Sequence, residues 1–125
     1  MLFGEDRDAT ATAFAALLKG RLAAAEYRLG FFGIGPDGHT AGILPESPAV
    51  AAAGLAAAYD AGAFQRLTMT PRAIAQLDEA VVYAVGEAKW PVLDNLDRDV
   101  AVALQPAQSL KQVPALTIFN DRRGE

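Results

Sequence analysis

One stretch limits what this chain can become: residues 30–48, GFFGIGPDGHTAGILPESP. An apolar run over 29–34 enters a turn punctuated by Gly33, Gly35 and Gly38, then leaves through His39 and Thr40 into a short apolar segment stopped by Pro45. That order predicts a strand delivering a polar loop to one edge of a sheet, with glycines that let backbone amides approach a ligand closely. The only histidine of the chain lies in this loop.

The flanking sequence predicts the sheet. From Asp8 or Thr10, either able to cap a helix, Phe14, Leu17, Leu18, Leu22 and Ala25 recur at helical spacing, an amphipathic helix that must pack on something. Residues 27–34 are almost continuously apolar, as for a strand buried on both faces. Residues 49–63 are dominated by alanine and interrupted by Gly54 and Gly62. Propensity makes them helical, whereas 55–59 also reads as a short strand, and composition does not separate the two.

Residues 64–70 alternate as a strand, and Pro71 opens a short helix through Leu77. Residues 80–85 form a β-type run ended by Gly86, 87–96 resume helical character despite Pro91, 106–112 suggest a last helical turn or two, and 115–119 a final strand. Residues 1–8 read as an acidic lead-in and 120–125 as a polar tail. The alternation predicts an α/β fold: one domain over 1–125 with a mostly parallel sheet of about four or five strands and helices on both faces. A chain of 125 residues should bury about two-thirds of its unfolded surface.

Charge and composition narrow the functions. With no cysteine and one histidine, a zinc site is not expected, and no other cofactor is implied. A net charge of −4 disfavours nucleic acid and anionic membrane as partners, because both need a basic field. No signal pattern opens the chain and no apolar run approaches a membrane span, so a soluble cytoplasmic protein is expected.

Gly33, Gly35 and Gly38 also satisfy G-x-G-x-x-G, with Asp60 22 residues beyond the last glycine, about where a dinucleotide fold places its ribose acid. Pro36 and Asp37 oppose that reading, since they fill the turn a pyrophosphate must approach. Pro45 and Pro48 also cut the following helix short. A second reading makes His39 a general base oriented by Asp37, with the glycine loop's amides binding a phosphate or a developing oxyanion. The plainer alternative, a helix cap or satisfied loop histidine, fits the spacing equally.

Residues 33–41, GIGPDGHTA, continued by Leu44-Pro45 and Ser47-Pro48-Ala49, resemble the signature loop of 6-phosphogluconolactonases. The similarity runs on through 66–70, 82–85, Gly86-Glu87-Ala88-Lys89 and Pro106-Ala107-Gln108-Ser109-Leu110, covering the chain from about residue 10. The resemblance implies hydrolysis of a sugar-phosphate lactone to the open acid without metal or cofactor, on part of the sugar-phosphate isomerase fold. His39 would be the base and Asp37 its support. Gly35, Gly38 and Thr40 would contact substrate from the loop, and Lys89, in a G-x-x-K element, and Arg66 would attract the phosphate.

Glucosamine-6-phosphate deaminase is the nearest alternative, but that family uses a glutamate five positions after the histidine, where this chain has Leu44. The resemblance also implies an N-terminal half with a glycine-serine phosphate loop, which residues 1–29 do not contain. A homo-oligomer or a complementing N-terminal half is therefore expected to cover an open sheet edge.

Overall fold

The computed structural model describes residues 7–62 and 64–122. Of the expected lead-in over 1–8 and tail over 120–125, residues 1–6 and 123–125 lie outside the described residues, as does Ala63, while Arg7 and Asp8 belong to the first helix and Asn120 to the last strand. Helix α1 (Arg7–Ala24) is followed by strand β1 (Leu29–Phe32), the loop carrying His39, and a 3₁₀ turn (Pro48–Ala51). Strands β2 (Ala56–Ala61) and β3 (Phe64–Met69), helix α2 (Pro71–Ile74) and strand β4 (Glu79–Ala84) follow. A second 3₁₀ turn (Glu87–Lys89) then leads into helix α3 (Trp90–Leu96), a third (Pro106–Gln112) and strand β5 (Ala115–Asn120).

The α/β class holds, and five strands are present among the described residues, but they do not share one sheet. β1, β4 and β5 form a three-stranded parallel sheet in the order β1-β4-β5, whereas β2 and β3 pair as a separate antiparallel hairpin. The hairpin settles the alanine-rich segment. Ala56 to Ala61 pair with Met69 to Phe64 around a turn at Gly62, whose φ is +64°, so cross-strand hydrogen bonds override alanine's helical preference. α1 lies on this hairpin, tied by an Arg7–Asp60 ion pair at 2.5 Å. That pairing occupies the carboxylate a dinucleotide ribose would need. The apolar stripe of α1 is only partly covered, with Leu22 packed on the core and Leu17 exposed.

The expected two-sided burial of the parallel sheet is corrected. On one face, Ala80, Val82 and Ala84 of β4 are fully buried against Ile74, Leu93, Leu96 and Leu110. Gly30 allows this closeness, because a Cβ there would stand 2.8 Å from Leu77 Cδ1. On the other face, Phe31 of β1 is 75% exposed, and Tyr83 of β4 and its register partner Phe119 of β5 are 68% and 57% exposed. This second face is open among the described residues, so the apolar run at β1 is half-buried on one side only. Among the described residues, no helix is long and apolar enough to cross a membrane.

Candidate active site

The loop after β1 is held by its own backbone before any distant residue contributes. Gly35 N–H donates to the His39 carbonyl at 2.9 Å, and Gly38 N–H to the Gly35 carbonyl at 2.9 Å. Gly38 has φ of +90°, a region that disfavours any side chain. Thr40 is fully buried, and its hydroxyl donates to the Gly33 carbonyl at 2.8 Å. Tyr59, from β2, closes the far end: its hydroxyl donates to the Gly42 carbonyl at 2.6 Å and accepts from Leu44 N–H at 3.2 Å. Nothing in the sequence marks Tyr59 for this place, since its segment reads equally as helix or strand.

Asp37 and His39 form a local pair. One carboxylate oxygen, Oδ1, accepts from the His39 backbone N–H at 3.0 Å and lies 2.5 Å from the imidazole Nδ1. An ionised carboxylate only accepts, so Nδ1 carries the proton and the Nε2 lone pair is left free. Partial burial pushes the Asp37 carboxyl up, but hydrogen bonds from the His39 amide and imidazole outweigh it and hold the group below its usual 3.8. The imidazole lies close against Gly35, where a Cβ would stand 2.1 Å from Cε1 and 2.2 Å from Nδ1. Glycine at 35 is thus a steric requirement of the histidine's position.

His39 opens into a cleft of about 390 Å³, lined also by Gly33, Ile34, Gly35, Pro36, Ala41 and Lys89. Lys89 enters from the turn preceding α3. Gly86, with φ of +115°, starts that turn. Asp121 anchors it, accepting from the Trp90 indole N–H and the Gly86 N–H, both at 3.0 Å. Those two bonds, the indole's first, hold the Asp121 carboxyl below its ordinary value.

The expected site residues therefore separate. His39, Asp37, Gly35 and Lys89 come together. Arg66 is exposed in a neighbouring hollow lined by Gly42, Phe64, Gln65 and Leu67, which adjoins the first where Ala41 meets Gly42. Thr40 and Gly38 brace the loop, since the Thr40 hydroxyl is sealed and the backbone N–H and C=O of Gly38 are both bonded within the protein. Among the described residues, no group of three histidines or carboxylates can hold a metal ion.

The family model for glucosamine-6-phosphate isomerases/6-phosphogluconolactonase matches residues 3–119. Among solved structures, the chain is similar to 6-phosphogluconolactonase from Thermotoga maritima, with a TM-score of 0.77 and 23% identity over 93% of this chain and 52% of that one. It is also similar to 6-phosphogluconolactonase from Trypanosoma brucei, at 0.71 and 23% over 97% and 55%. A monomeric glucosamine-6-phosphate deaminase matches at 0.75 and 18% over 96% and 54%. The chain thus spans about half the length of these structures, and at such identities the likeness is one of fold. No curated protein sequence matches it.

Proposed function

Because this chain belongs to the family of glucosamine-6-phosphate isomerases and 6-phosphogluconolactonases, we propose that it carries the general base of a sugar-phosphate lactonase, hydrolysing 6-phospho-D-glucono-1,5-lactone to 6-phosphogluconate. The observation that carries this reading is the Asp37–His39 pair opening into the same cleft as the Lys89 ammonium. Nε2 takes a proton from water as its oxygen bonds to the lactone carbonyl carbon. Asp37 stabilises the imidazolium so formed. When the tetrahedral intermediate collapses, the bond from carbon to ring oxygen breaks and the imidazolium returns its proton to that oxygen, leaving the open acid. Lys89 supplies the attraction for the phosphate dianion that an acidic chain lacks in its overall field.

The deaminase reading is weaker. Leu44, at the position where that reaction needs a carboxylate, packs against the core. Since the chain spans about half of the structures it matches, the working unit is proposed to be this chain completed by a further α/β segment that covers the exposed Phe31, Tyr83 and Phe119.

The test is acid release from freshly generated lactone against the spontaneous background. His39→Ala is expected to lower the catalysed rate by about 10²- to 10⁴-fold with unchanged far-UV circular dichroism. Wild-type turnover in that variant removes the assignment. Saturable binding of 6-phosphogluconate without acceleration selects a sugar-phosphate binding module instead.

A further inference from the structure

The motif at 106–110 and the glutamine before it take no part in the chemistry above, yet they lie where the two sides of the cleft meet. Gln105 is 4% exposed. Its Nε2 donates to the Val92 carbonyl of α3 at 2.9 Å, and its Oε1 accepts from Gln108 Nε2 at 3.1 Å. Gln108 Nε2 also reaches the Asn95 carbonyl at 2.8 Å, and Lys111 Nζ donates to Gln108 Oε1 at 2.9 Å. Toward the loop, a Cβ at Gly38 would stand 2.8 Å from Gln105 Cγ, and Ala107 N–H donates to the Gly38 carbonyl at 2.9 Å. One side chain therefore touches both the residue before His39 and the helix that begins just after Lys89.

We propose that Gln105 is a positioning residue that sets the span between His39 and Lys89, acting through Gly38 on one side and Val92 on the other. An amide alone suits this place: it donates to a helix carbonyl while accepting from Gln108, whereas methionine of similar length does neither and a glutamate carboxylate would face the Val92 oxygen. On the lactonase reading, on which this consequence rests, that span selects substrates by the distance between acyl carbon and phosphate.

The experiment exploits a chain with one histidine and one tryptophan. Imidazole ¹⁵N spectra report the loop side, and Trp90 emission reports the start of α3. The wild type should show the Nδ1–H tautomer that Asp37 imposes. Gln105→Met should shift the imidazole to a mixture of tautomers while far-UV circular dichroism is retained, and should lower kcat/KM for the lactone about a hundredfold, as a displacement of about 1 Å can. Gln108→Met, which leaves the bond from Gln105 to Val92 in place, should preserve the tautomer. If Gln105→Met does not fold, Gln105→Asn, one methylene shorter, is read in the same way. A folded Gln105 variant with the wild-type tautomer overturns the proposal, as does an equal shift in Gln108→Met. Absence of lactonase activity in the wild-type working unit, this chain with the segment that covers its open face, refutes the functional reading alone, because the spectra still decide the role of Gln105.

Discussion

The two faces of the parallel sheet are built from the same strands and equally apolar residues, yet they meet opposite fates. Ala80, Val82 and Ala84 are sealed beneath α2, α3 and the turn at Pro106–Gln112. One residue over in the alternation, Phe31, Tyr83 and Phe119 face outward. The small side chains of β4 sit at the centre of the closed face, flanked by Phe32, Leu116 and Ile118, which pack against the same core, whereas among the described residues Phe31, Tyr83 and Phe119 have no such partner on the open face. An apolar run thus records a capacity for burial, and whether it is used depends on what is stacked above. Parallel sheets are ordinarily covered on both sides.

The contrast can be pressed hardest at the site, which the closed face supports. Gly35→Ala should expel the imidazole from its place and, on the lactonase proposal, cost about 10²- to 10⁴-fold in lactone turnover, the worth of a positioned base, measured by acid release. Turnover equal to wild type would mean that the ring need not lie over Gly35. Ile74→Ala, in the core beneath the sheet, should destabilise by about 2–5 kcal/mol in urea unfolding. Gly38→Ala forces a side chain into positive φ and against Gln105, for a loss of about 1–3 kcal/mol by the same measurement.

Acid should probe the loop more gently. The folded Asp37 carboxyl is held below 3.8, so its contribution is present above that pH and is lost as pH falls through the lower folded value. The group is half exposed, so the step is small, and urea midpoints against pH should show it in wild type and not in Asp37→Asn. Smallest of all, Phe31→Ser or Tyr83→Ser on the open face should change the unfolding free energy of the 125-residue chain by within about 0.5 kcal/mol. Both should also reduce binding of an apolar dye. Losses as large as that of Ile74→Ala would break the comparison, because they would mean that this face is covered in solution.

The parts of the site that were legible in the sequence are those made by near neighbours. Asp37 and His39 are two residues apart, and their contact follows from a turn whose glycines are written beside them. The strands at 64–69, 79–84 and 115–120 were readable from β-branched and aromatic runs, and the short helix at Pro71 from its proline. Ala56 to Ala61 were not readable, because alanine has no strong voice of its own and the strand exists only through its partner β3. The place of Thr40 was not readable either, because a hydroxyl beside the loop's histidine gives no sign in the sequence of which way it points.

By itself the sequence determined the loop, its lone histidine with the neighbouring carboxylate that pairs with it, and most of the alternation of helix and strand, all of which arise from residues close along the chain. Only the tertiary structure decided that Lys89 joins His39 while Arg66 lies in the next hollow, that Gln105 braces Gly38 from far along the chain, and that one face of the sheet is sealed while the other is bare. The reason is physical. Backbone geometry and turn chemistry act over a few residues, whereas burial and the meeting of distant side chains depend on how whole elements stack.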